Sequence, residues 1–120
     1  MRQRDARAYL YDILAACARI AEFTAGRTIE DYRQDAMVRS AVERQFEIVG
    51  EALNLLRQSD PCTAGRITDA SRIIAFRNRL IHGYATVSDD VVWGVIEASL
   101  PVLAREADCL MREFETPDDP

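Results

Sequence analysis

One stretch of this 120-residue chain concentrates side chains that can do chemistry. It reads Ala75-Phe76-Arg77-Asn78-Arg79-Leu80-Ile81-His82-Gly83-Tyr84. His82 is the sole histidine of the protein. An imidazole is the side chain that ordinarily titrates nearest neutral pH, so it can give or take a proton during a reaction. Arg77 brings a permanent cation whose planar fork suits phosphate oxygens. Asn78 adds a neutral donor and acceptor. Arg77 and His82 are five positions apart, about 140° around an ideal helix at ~100° per residue. A helix that ends near His82, with Gly83 turning the chain, would let the imidazole swing toward Arg77. Tyr84 would then stand at the rim of the same pocket.

Other polar groups have plainer readings. Glu43, Glu47 and Glu51 recur at helical spacing. Paired carboxylates hold metals in helical bundles, but there they act with Glu-x-x-His motifs, which this chain lacks. The stripe therefore reads as a solvated or partner-facing face. Asp89 and Asp90 are neighbours at a helix start and read as capping residues. Cys17, Cys62 and Cys109 are odd in number and scattered, with no C-x-x-C, which fits reduced thiols in a cytosol and gives no zinc site. Cys17 and Cys109 are expected in the core and Cys62 in a loop. No phosphate-cradling glycine loop and no G-x-S-x-G elbow occurs.

The elements that would position these groups follow from hydrophobic period. From about Arg4 to Ala25, Ala6, Tyr9, Leu10, Ile13, Cys17 and Ile20 recur at steps of three and four, which predicts a helix ended by Gly26. Thr28 and Asp31 stand at capping-box distance before a short helical piece. A long helix is predicted over about Asp35 to Gln58, with Val38, Val42, Phe46, Val49, Leu53 and Leu56 on one face. Gly50 lies inside it, at a cost of about 1 kcal/mol against Ala, and reads either as tolerated or as a close approach by another helix. Ser59 to Gly65 reads as a loop. Thr68 or Asp69 can cap a third helix carrying Ile73, Phe76, Arg77 and Leu80, with Gly83 in the left-handed position past its end. Ser88, Asp89 and Asp90 start a fourth, which Pro101 should kink. No segment alternates with strand period for long. The fold class is all-α: an up-and-down four-helix bundle with a short extra helix and a kinked last helix.

Composition limits what such a bundle can be. Hydrophobic residues make up 48% and charged residues 29%, which excludes a disordered, collagen-like or disulfide-scaffold chain. The net charge is −5, from 20 acidic and 15 basic residues, and every basic residue is Arg. That balance argues against strong nonspecific nucleic-acid binding, so an anion site must be a local cationic pocket. The charged N-terminus is not followed by the apolar run of a signal peptide, and no apolar stretch approaches the ~20 residues that span a bilayer.

The spacing Arg77-x4-His82-x-Tyr84 resembles the R-x4-H-x-Y motif of the HEPN superfamily, and specifically the HepT-like toxins of HEPN–MNT toxin–antitoxin pairs. Ile48-Val49-Gly50-Glu51-Ala52, Phe76-Arg77-Asn78, Trp93 after an acidic helix start, and a proline in the last helix are also similar to that family. The resemblance runs from about Tyr9 to Phe114. It implies a single HEPN-like domain over residues 1–120, with 115–120 a frayed tail. It implies a cytoplasmic, metal-independent endoribonuclease without a cofactor, acting on tRNA or mRNA, with no membrane or DNA partner. Arg77 and His82 would be the catalytic pair and Asn78 a supporting polar group. Arg79 is a further candidate RNA contact, although an exposed helical arginine is commonly only solvated. Cleavage through the RNA 2′-hydroxyl needs both a base and an acid, and the chain has one histidine. A homodimer with the motif at its interface, as the resemblance implies, would supply two. The resemblance further implies that an MNT-type nucleotidyltransferase antitoxin AMPylates Tyr84. Two rivals remain at this stage: a noncatalytic HEPN module that binds nucleotide or RNA or scaffolds a nucleotidyltransferase, and a plain helical interaction protein.

Overall fold

The structure, a computed structural model, describes residues 5–83 and 86–115. The first helix, α1 (Ala6–Thr24), is capped by Asp5, whose carboxylate accepts from the Arg7 N–H at 2.8 Å. Its buried face holds Tyr9, Leu10, Ile13, Ala16, Cys17 and Ile20, the stripe that the period predicts. Gly26 then takes φ +71, a left-handed turn available to glycine at no steric cost. A full capping box between Thr28 and Asp31 opens α2 (Ile29–Gln34), and Asp35 caps the long α3 (Ala36–Ser59).

The expected loop after α3 contains a further turn of helix, α4 (Pro61–Ala64). Asp60 accepts from the Thr63 N–H at 3.1 Å, and Pro61 occupies the first position, where its missing N–H costs nothing. The short α4 thus comes in addition to α2, the expected short extra helix. The next element, α5 (Ala70–His82), begins after Asp69 as expected but without a side-chain cap. Thr68 turns instead to the last helix, its N–H donating to Glu106 at 3.0 Å. At the far end Gly83 has φ −132, so the left-handed turn expected there is not used.

Ser88 accepts from the Val91 N–H at 3.2 Å and starts α6 (Asp89–Gly94). A π-helical turn over Val95–Ser99 joins it to α7 (Leu100–Glu115). The predicted break at Pro101 takes this form. A proline ring clashes with the carbonyl four residues back, and the wider turn just before it, in which the Leu100 N–H donates to the Val95 carbonyl, shifts the register at that point.

The described residues are helical with no strand, and their buried side chains form one core. At its centre α3 packs against α1 and α5, while α7 packs on α1. Phe46 and Phe76 meet edge to face across α3 and α5, with ring centroids 5.2 Å apart. Trp93 packs on buried Tyr32 with ring centroids 5.5 Å apart and joins α6 to α2. Among the described residues no helix is long and apolar enough to cross a membrane.

The cysteines divide differently from the expectation. Cys17 is buried, but Cys109 is exposed, one step off the stripe that buries Ala107 and Leu110. Burial pushes the Cys17 thiol up to about 12, where it supplies almost no thiolate near neutral pH. Iodoacetamide at pH 8 should therefore alkylate Cys62 and Cys109 in the folded protein and reach Cys17 only in urea. Peptide mass mapping that finds native Cys17 labelled as fast as Cys62 would refute this packing.

Candidate active site

The site begins where α3 crosses α5. A Cβ added at Gly50 would lie 2.2 Å from the Cβ and 2.6 Å from the Cγ of Arg77, closer than real atoms approach. Of the two readings of this mid-helix glycine, the structure selects close approach: the Arg77 stem runs over the bare backbone. Phe46 lies one turn before Gly50 and Phe76 lies next to Arg77, so their ring contact sets the helix spacing at this crossing.

Pressed against Gly50, Arg77 is held by its head. Its side chain is 22% exposed. Nη1 donates to Asn78 Oδ1 at 2.7 Å, and Nη2 donates to the Glu51 carboxylate. Nε is buried and has no hydrogen-bond partner. Glu51 is the group that the sequence reading missed. The helical spacing of the carboxylate stripe predicts a solvated or partner-facing face, yet its last member pairs within the chain, across 26 residues. The other members differ. Glu47 accepts from Arg44 at 3.4 Å. Glu43 is held above the ordinary carboxylate range, first by burial and then by repulsion from Asp89 and Glu47.

His82 is the last residue of α5 and is exposed. It makes no hydrogen bond or ion pair among the described residues. The Gly83 N–H donates to the Arg79 carbonyl at 2.7 Å, so helical geometry persists through the histidine. The offset of about 140° from Arg77 therefore stands. The Arg77 stem packs on α3 and its Nη1 reaches Asn78, while His82 stands on the exposed face one turn beyond Asn78. Arg79 is exposed too, with Nη2 donating to the Thr86 carbonyl at 3.4 Å. Together with Arg72 it flanks a groove of about 290 Å³ floored by Ile73, Phe76 and Val95. Tyr84 lies outside the described residues. Asp89 and Asp90 sit in the first turn of α6, and Asp90 also accepts from Arg33. No three described His, Cys, Asp or Glu side chains are grouped so as to hold a metal ion.

The arrangement thus combines a fixed guanidinium, with N–H donors to spare, and an exposed imidazole, without a partner among the described residues, on the same helix. The first can neutralise a phosphate and the second can move a proton. Residues 13–110 match the protein family described as Ribonuclease HepT-like. A protein of Thermococcus cleftensis named "Probable ribonuclease HepT" is 32% identical over 105 residues, which is 84% of this chain and 91% of that one. Two proteins of Methanocaldococcus jannaschii, provisionally named as RNases, are also similar. One is 30% identical over 112 residues, covering 90% of this chain and 98% of its own length. The other is 28% identical over 119 residues, covering 99% and 98%. No solved structure matches this chain significantly.

Proposed function

We propose a function from one premise: the chain belongs to the HepT-like ribonuclease family. In this reading it is the cytoplasmic toxin of a HEPN–MNT pair, and it cleaves tRNA or mRNA endonucleolytically without a metal ion. The RNA 2′-hydroxyl attacks the adjacent phosphorus. The O2′–P bond forms, the P–O5′ bond breaks, and the ends are a 2′,3′-cyclic phosphate and a 5′-hydroxyl. One His82 takes the 2′-hydroxyl proton and a second His82 protonates the leaving 5′-oxygen. Arg77 stabilises the charge that builds on the phosphorane. Arg79 contacts a neighbouring RNA phosphate.

The observation that carries this reading is the placing of a fixed Arg77 and an exposed His82 on one helix. Arg77 is fixed at the α3–α5 crossing, and His82 is exposed at the end of α5 with no hydrogen-bond partner among the described residues. One protomer holds a single histidine, whereas a second copy facing α5 supplies a second imidazole and a second arginine. A homodimer with a composite cleft follows, and it reconciles RNA binding with a net charge of −5, because the cationic cleft is local. The antitoxin partner is a nucleotidyltransferase that AMPylates Tyr84. The added phosphate charge and nucleoside beside the cleft repel and block RNA.

The test is cleavage of bulk tRNA and mRNA by purified, unmodified protein in excess EDTA, with the ends identified by mass. Cyclic-phosphate and 5′-hydroxyl ends formed without metal are expected. Ends bearing 5′-phosphate, or cleavage only after metal is added back, would overturn the mechanism. No cleavage by folded, dimeric protein would shift the reading to a nucleotide- or RNA-binding module.

A further inference from the structure

Arg77 is more tightly constrained than an arginine used only for its charge needs to be. Its stem has a single lane, over the bare backbone of Gly50. Its Nε is buried without a partner, so the stem is withdrawn from water although one N–H is left unsatisfied. Its two terminal nitrogens are tied in different directions, Nη1 to Asn78 on its own helix and Nη2 to Glu51 on α3. The Glu51 side chain is 47% exposed, and an ion pair so open to solvent contributes little to folding. Its worth must lie elsewhere.

We propose that Glu51 is a positioning residue, which with Asn78 fixes the plane of the Arg77 guanidinium for phosphate. The inference rests on the nuclease reading above. The fork has five N–H donors. Asn78 and Glu51 engage one each and Nε–H is enclosed, which leaves one N–H on each terminal nitrogen for phosphate oxygens. Those two donors present a fixed pair only while the plane is held from both sides. Without Glu51 the buried Nε–H is free to rotate out to water, taking the plane with it. Misplacing a group that stabilises a transition state costs rate more than binding. A carboxylate beside a phosphate site also repels the anion, so this arrangement trades some affinity for orientation.

The test compares Glu51→Ala with Glu51→Gln in the full chain. Glu51 is half exposed, so both variants should melt near the wild type. Gln keeps an amide oxygen that can accept the same hydrogen bond, whereas Ala keeps nothing. RNA cleavage should show kcat lowered about tenfold or more in Glu51→Ala with KM changed little, and kcat within about threefold of wild type in Glu51→Gln. A readout independent of activity is the solvent exchange of the Arg77 Nε–H by NMR, the resonance being assigned by its loss in Arg77→Lys. Exchange should be slow in the wild type and Glu51→Gln and fast in Glu51→Ala. Unchanged exchange in Glu51→Ala overturns the positioning role, as does an unchanged kcat in an active enzyme. A Gln variant as impaired as Ala overturns it too, because the charge or a proton would then be what matters. If the wild type cleaves no RNA, the nuclease reading fails, while the exchange data still decide whether Glu51 holds Arg77.

Discussion

His82→Ala should lower RNA cleavage by about 10²–10⁴-fold while the melting temperature stays within about 1 °C of the wild type. The rate loss follows from its proposed role. Removing the imidazole deprives the 2′-hydroxyl of its base and the 5′-oxygen of its acid, since the chain holds no other histidine. The stability expectation follows from its place: His82 is exposed at the end of α5 and bonds to nothing among the described residues. A structural histidine would show the reverse pattern. The wild-type rate should also pass through a maximum in pH, because one imidazole must be neutral and the other protonated in the same dimer. A rate that only rises to a plateau, with His82→Ala still within tenfold of wild type, would remove the histidine pair from the mechanism.

Gly50→Ala is the second large effect, and its sign separates local from tertiary reasoning. Helix propensity alone favours alanine in a helix interior by about 1 kcal/mol. The crossing opposes it, because the new methyl would sit 2.2 Å from the Arg77 Cβ, which is anchored to the backbone and cannot rotate away. Helices α3 and α5 must separate, and overpacking of this kind costs about 1–3 kcal/mol. In a chain of this size that lowers the melting temperature by roughly 5–10 °C. Activity should fall with it, since the displaced stem is that of Arg77. Gly94 supplies the control: a Cβ there meets nothing within 4 Å, and its backbone is helical, so Gly94→Ala should leave stability unchanged or raise it. Equal responses at the two glycines, measured by calorimetry, would show that the close approach at Gly50 does not exist in solution.

Most of the helical architecture could be read along the chain, because its causes act over three or four residues. The buried stripe of α1, the Thr28–Asp31 capping box and the Ser88 cap all lie within that range. The R-x4-H spacing likewise lies inside one helix, so Arg77, Asn78 and His82 stand out without a structure. The misreadings have local causes as well. The turn α4 uses Asp60 and Pro61, residues that serve a loop and a helix start equally well. Gly83 permits a left-handed turn without requiring one. Pro101 forbids a regular helix but does not specify the π turn that replaces it. Cys109 sits beside the buried stripe of α7, close enough for periodicity to include it wrongly.

What each group does beyond its own helix depends on contacts between distant segments. Glu51 and Arg77 are 26 residues apart, and no periodic pattern links them. Gly50 looks like a mild defect of α3 until the stem of Arg77 is laid across it. That Arg77 packs on α3 while His82 stays exposed emerges only once α5 is seen to remain helical through His82 and to bury one side against α3. Residue types and short spacings supplied the chemistry that this chain can perform. Packing supplied the orientation of the fork, because orientation is set by atoms that meet in space, and here those atoms belong to two helices joined through a turn the chain's local signals did not specify.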